Sequence, residues 1–226
     1  MQPLESRIHY KFRNSLLLAE ALTHPSLAYE SQRPHFDNQR MEFLGDAVLQ
    51  LIVTEELFRR FPEFTEGRLT KLRSRVVSRR ALARFAMAIN LGDYVLLGKG
   101  EEATGGRRRL STLADAFEAL IGAVYLDSGL SAVEKFVHPF LEETQDYILE
   151  EIHDPKSVLQ EWAQAEKLGA PQYVTISSIG PDHAKVFEVE VRIQGLAYGR
   201  GHGSSKHVAA RIAAQTALEA LGISYK

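Results

Sequence analysis

Cysteine is absent from the 226 residues. That excludes a disulfide framework, a disulfide partner and a thiolate-ligated zinc site, and it fits a reducing cytosol. Long apolar runs are missing too. None approaches the roughly 20 residues needed to cross a bilayer, so no membrane partner is expected. The opening Met1-Gln2-Pro3-Leu4-Glu5 has neither a basic n-region nor an apolar h-region, so no signal peptide and a cytoplasmic location are expected. Charge of one sign is scarce: 27 Lys and Arg stand against 29 Asp and Glu, a formal net charge of −2. A strongly basic polyanion binder is excluded, and any phosphate contact must come from local patches.

What is present is ordinary for a globular chain, with 45% apolar and 25% charged residues. The length suits one large or two small domains. Its most informative stretch is Asn38 to Leu51, NQRMEFLGDAVLQL. Read as a helix, it places Glu42 and Asp46 four apart on one face. Phe43, Leu44, Ala47, Val48, Leu49 and Leu51 form an apolar surround that is expected in a core. Shielded carboxylates are costly unless paired, protonated or bound to a cation. Gly45 costs helix stability, about 1 kcal/mol against Ala, and leaves room beside the acids for a close approach.

Ser111 to Tyr125, STLADAFEALIGAVY, answers the first stretch. Asp115 and Glu118 lie three apart among Leu113, Phe117, Leu120, Ile121 and Val124. Two such helices can aim four carboxylates at one spot, where they repel. A hard divalent cation, Mg²⁺ or Mn²⁺, relieves that repulsion. From spacing alone, four separate acids facing water remain an equal alternative.

The other elements follow in order. Asn14 or Ser15 caps a helix at 16–22, which Thr23-His24-Pro25-Ser26 ends, and His24 reads first as a structural histidine there. Residues 30–37 read as a loop, and the key helix runs from 38 to about 61, stopped by Pro62. Thr65 caps one helix through Asn90 that bears Arg68, Lys71, Arg73, Arg75, Arg79, Arg80 and Arg84. This run is either a solvated face or a positive flank for a nucleic-acid backbone. A flexible Gly- and Arg-rich loop, 101–111, precedes the second acidic helix, which Ser111 or Thr112 caps. A helix over 130–151 buries Val133, Phe136, Val137, Phe140 and Leu141. After a boundary at 153–155 come a helix at 156–167, strands at 171–177, 186–193 and 196–203, and an Ala-rich helix at 205–221.

QRMEFLGDAVL resembles the motif of bacterial ribonuclease III, and LADAFEALIGAVYLD resembles that family's second acidic segment. GPDHAKVFEVEV at 180–191 and GSSKHVAARIAAQTAL at 203–218 resemble a double-stranded RNA-binding domain. The resemblance covers essentially the whole chain. It implies an all-α endonuclease domain, an RNase III-type helical bundle, over 1–151, then a small α+β (α-β-β-β-α) RNA-binding domain over 154–223. It further implies a Mg²⁺-dependent endoribonuclease of double-stranded RNA, in which Mn²⁺ can substitute. Products would carry 5′-phosphate and 3′-hydroxyl ends with short 3′ overhangs, from ribosomal RNA precursors and structured messenger RNA.

By the same resemblance, Glu42, Asp115 and Glu118 hold metal, and Asp46 and Glu118 are the catalytic acids. Two strands call for two sites, hence a homodimer, with the apolar key helix as interface and the THPS segment near it. Glu66 matches a residue near the scissile site, whereas the helix dipole alone also explains an acid there. Gln160, Glu161, His183, Lys185, Lys206, His207 and Arg211 are the expected duplex contacts. The chain departs from the pattern twice. Gln39 stands where the family usually has Glu, which makes it an RNA contact and not a ligand. His207 stands where Lys is common, with Val208 and Ala210 where acids are common. Gln39 is the sole support for the competing reading, a non-catalytic duplex-RNA binder that retains the fold.

Overall fold

The computed structural model describes residues 3–31, 36–142, 154–181 and 184–223. The loop at 30–37, the end of the helix expected to reach 151, the 153–155 boundary and the His183 turn fall wholly or partly outside them. The chain divides into two compact units, Met1–Gln145 and Asp146–Lys226. No helix among the described residues is long and apolar enough to cross a membrane.

The first unit is all-α. Its helices are α1 (Leu4–Arg7), α2 (Ser15–Ala21), α3 (Pro25–Glu30), α4 (Gln39–Arg60), α5 (Glu66–Val76), α6 (Arg79–Ala88), α7 (Lys99–Ala103), α8 (Leu110–Ser128) and α9 (Leu130–Glu142). Its axis is α8, which presents buried residues on every side from Thr112 to Val124. A helix apolar all round must be enclosed; α2, α4, α6 and α9 pack around it. Phe85, Phe117, Phe136 and Phe140 bring their rings to 5.3–5.9 Å at one end of this core.

Three local expectations fail. The single helix from Thr65 to Asn90 is two helices. Thr65 caps α5, accepting from Arg68 N at 3.4 Å. The chain then turns at Val77, and Ser78, in extended backbone, caps α6 by accepting from Ala81 N at 3.3 Å. A serine that can satisfy a free N–H competes with helix continuation. The basic run is therefore not one face: Arg68 stacks 3.7 Å over Phe64, and Arg73 donates to Thr54 Oγ1 at 3.0 Å. Second, the 101–111 loop is folded, by α7 and a 3₁₀ turn at Gly106–Arg108. Arg107 donates to Gly92 O (2.6 Å) and Val95 O (2.8 Å) and pairs with Glu102, while Arg109 pairs with Glu101. Third, Ser111 and Thr112 lie inside α8, whose N-cap is Arg109 without a side-chain bond.

The second unit is α10 (Pro155–Ala165), β1 (Gln172–Ile179), β2 (Val186–Ile193), β3 (Leu196–Gly203) and α11 (Lys206–Ala220), with an antiparallel sheet in the order β1-β2-β3. Gln194 and Gly195, both at positive φ (50° and 81°), join β2 to β3, as a tight type I′ hairpin requires. Val189, Val191 and Ile193 pack with Leu159 of α10 and the alanines of α11. The sheet and α11 nearly touch: a Cβ on Gly201 would lie 2.3 Å from Ala209 O. An Ala-rich helix face against a glycine-bearing strand is what permits that spacing.

Candidate active site

The crossing of α4 and α8 builds the site. A Cβ on Gly45 would lie 1.8 Å from the Glu118 carbonyl oxygen, and one on Gly122 would lie 2.3 Å from Met41 O. Each helix thus contributes one glycine to a backbone-to-backbone contact. What approaches closely at Gly45 is the other acidic helix itself. Glu42 and Asp46 flank Gly45, so the crossing sets them against Asp115 and Glu118.

The structure brings Glu42, Asp115 and Glu118 together: one carboxylate oxygen from each lies within 4.8 Å of the other two, all three residues half-buried. Asp46 stands beside this triangle. Gln50 Nε2 donates to both of its carboxylate oxygens, at 2.9 Å each. Burial and mutual repulsion raise the acids. Glu118 is pushed up to about 8, first by burial and then by Asp46, Glu42 and Asp115. Burial, then Asp115, raise Glu42, and burial raises Asp115. Arg79 opposes the rise at all three, and His24 does so at Asp115. An all-oxygen set of crowded, half-buried carboxyls is the donor chemistry that a hard divalent cation takes.

Sequence reasoning missed three neighbours of this cluster. Gln50 carried a readable signal, four residues after Asp46 on the same helix. Arg79 was one among seven basic residues; the break at Ser78 singles it out as the first residue of α6, which packs on α8. His24 is brought in from a distant part of the chain.

The other face of α4 overturns the core assignment of Phe43, Ala47 and Leu51. Phe43 is 81% exposed, Leu51 54% and Phe58, further along, 70%, and Ala47 is exposed too. The helix is apolar on two sides, and α8 covers only one. Gln39 and Glu66 are exposed at the starts of α4 and α5; Thr70 Oγ1 donates to Glu66 Oε1 at 3.0 Å.

In the second unit, Gln160 is exposed and Glu161 half-buried on α10. Lys185 is half-buried before β2 and lines a surface hollow with Phe187, His202 and Ser204. His183 lies outside the described residues. Lys206, His207 and Arg211 are exposed on the first half of α11, whose cap Ser205 accepts from Val208 N at 3.2 Å. On the sheet face away from α11, Glu190 accepts from Arg192 Nε and Arg200 Nε, each at 2.7 Å. These two guanidiniums hold its carboxyl below the usual carboxylate range.

Comparison with known proteins gives the same two-part division. A family model described as "Ribonuclease-III-like" matches residues 14–144, and one described as "Double-stranded RNA binding motif" matches 155–221. The chain is 45% identical to "Ribonuclease 3" of Caldanaerobacter subterraneus subsp. tengcongensis over 222 residues, covering 97% of both chains. It is 46% identical to "Ribonuclease 3" of Geobacillus kaustophilus, covering 97% of this chain and 90% of that one. The solved nuclease domain of ribonuclease III from Campylobacter jejuni matches with a TM-score of 0.58 and 41% identity, covering 62% of this chain and 94% of that one. That structure is described as showing structural flexibility in a region involved in dimer formation of that domain. Identity at this level along nearly the whole chain, with both family models in the same succession, makes the chain a member of the ribonuclease III family: a ribonuclease that carries a double-stranded RNA-binding domain.

Proposed function

We propose that the protein is a divalent-metal-dependent endoribonuclease of double-stranded RNA, working with Mg²⁺ and accepting Mn²⁺. The observation that carries this is the convergence of Glu42, Asp115 and Glu118 at one point between α4 and α8. These three carboxylates hold the ion. When bound, it neutralises them, activates water and stabilises charge on the scissile phosphate and the leaving oxygen. Asp46 and Glu118 are the catalytic acids. Asp46, steadied by Gln50, orients the attacking water. Arg79 favours the ionised form of all three ligand acids and so works against the rise that burial and mutual repulsion impose on them.

The product ends are 5′-phosphate and 3′-hydroxyl with short 3′ overhangs. Two strands need two sites, and the exposed Phe43-Leu51-Phe58 face of α4 supports a homodimer. Residues 1–151 serve as the nuclease domain and 154–223 as the duplex-binding domain. Gln39, Glu66, Gln160, Glu161, His183, Lys185, Lys206, His207 and Arg211 contact RNA. Ribosomal RNA precursors and structured messenger RNA in the cytoplasm are the substrates.

The test is cleavage of a labelled RNA hairpin with and without Mg²⁺, beside Glu118→Ala, with binding followed in parallel. Mg²⁺-dependent cutting that vanishes in the variant while binding survives supports the reading. Binding without cutting by the parent, under any divalent cation, overturns it and points to Gln39.

A further inference from the structure

Asp46 is held differently from the other three acids. Glu42, Asp115 and Glu118 each bring a carboxylate oxygen within 4.8 Å of the other two, and Asp46 is not one of that group. Its partner is Gln50, one helical turn further along α4. Gln50 Nε2 lies 2.9 Å from Asp46 Oδ1 and 2.9 Å from Oδ2. A donor equidistant from both oxygens restrains the carboxylate from turning about its last bond. The turn that carries Gln50 is itself fixed. Leu49 and Val53 are buried, at 3% and 1% exposure. The Gln50 carbonyl accepts from Thr54 Oγ1 at 2.6 Å, and that hydroxyl accepts from Arg73 of α5 at 3.0 Å.

Helix stability does not account for the pair. A glutamine–aspartate bond across one turn adds little to a helix already packed along α8. What the bond does decide is where the acid is aimed. Asp46 and Glu42 flank Gly45, at the point where α4 and α8 touch main chain to main chain. A fourth carboxylate on the same ion would replace one of the waters that Mg²⁺ characteristically keeps. A carboxylate whose two oxygens are both engaged by an amide donor stays outside the ligand group. Its remaining lone pairs can still accept from a water. Both Asp46 and Gln50 are half-buried, so solvent reaches them.

We infer that Gln50 is a positioning residue that holds Asp46 out of the metal's direct ligands and reserves its carboxylate for water. This rests on the metal-dependent reading above and assigns how the four acids divide their work. Gln50→Leu and Gln50→Met keep the bulk of the side chain and remove its donor. Asp46→Ala, alone and with Gln50→Leu, completes a double-mutant cycle that isolates what passes through Asp46.

Mn²⁺ affinity by calorimetry, the number of waters on bound Mn²⁺ by water-proton relaxation, and Mg²⁺-dependent cleavage of duplex RNA are measured on the full chain. With Asp46 released, both Gln50 variants are expected to bind Mn²⁺ about tenfold more tightly and to leave one water fewer on the ion. Their kcat is expected to fall about tenfold with KM for duplex unchanged. In the Asp46→Ala background, Gln50→Leu is expected to change neither Mn²⁺ affinity nor hydration. Gln50 variants with parental or weaker Mn²⁺ affinity and parental hydration overturn the inference and leave the nuclease reading intact. A gain in only one of the two variants, or one that persists without Asp46, overturns it as well. A parent that binds no Mn²⁺ overturns the metal reading and this inference together.

Discussion

Glu118 concentrates the chemistry of this chain in one side chain. Its carboxyl is raised from 4.5 to about 8. A raised acid binds its proton more tightly in the folded state than in the unfolded one. In the absence of divalent cation its contribution to stability is therefore full below pH 4.5 and is lost as pH climbs through about 8. Glu118→Gln mimics the protonated form. It is expected to raise the melting temperature of the metal-free protein at pH 8 by on the order of 5 °C, with the gain gone at pH 5; scanning calorimetry in chelator at the two pH values checks this. On the proposed function the same variant would lack a metal ligand and a catalytic acid, so Mg²⁺-dependent cleavage is expected to fall by about a thousandfold or more. Single-turnover kinetics on a duplex read that loss. Glu42, Asp115 and Glu118 were half legible in the sequence: short helical spacings put carboxylates on apolar faces but left separate surface acids an equal alternative, and the family resemblance tipped the balance. Arg79 and His24 were not: their relation to the acids is made by tertiary folding, across a helix break and a long separation in the chain.

At the scale of elements, the long helices were legible from periodicity and stop signals, as with α4 ending before Pro62. Breaks set by a single side chain were not, because Ser78 reads the same in a helix as at its cap. Nor could periodicity say which apolar face of α4 meets α8. The two glycines settle that, and they give a paired prediction. Gly45→Ala drives a methyl into the Glu118 carbonyl, a main-chain atom that cannot swing away. A loss of about 1–3 kcal/mol is expected from overpacking. Gly67, in α5, has nothing within 4 Å of its would-be Cβ. Gly67→Ala is expected to gain about 0.5–1 kcal/mol. Urea midpoints of both variants against the parent decide the matter. The uncovered face carries its own prediction. Leu51→Ser with Phe58→Ser removes two large exposed apolar side chains. Self-association is expected to weaken by about 1.5–3 kcal/mol per side chain, read by sedimentation equilibrium.

For the whole molecule, a near-neutral chain must bind a polyanion through local contacts. Lys206, exposed at the first position of α11, adds its charge to the helix N-terminus. Lys206→Ala in the full chain is expected to weaken duplex binding alike on all sequences and to reduce the salt slope by about 1, measured by titration across ionic strengths. A slope unchanged from the parent counts against a phosphate contact there. The high Glu118 value has a further consequence for the protein in solution. Burial and the neighbouring acids favour the protonated form of that carboxyl at neutral pH in the metal-free cluster, so on the proposed function loading a cation would expel a proton. Metal uptake then acidifies an unbuffered solution. The heat recorded for the same binding event differs between buffers by their own heats of ionisation, so proton release counts ligand ionisation without any substrate present.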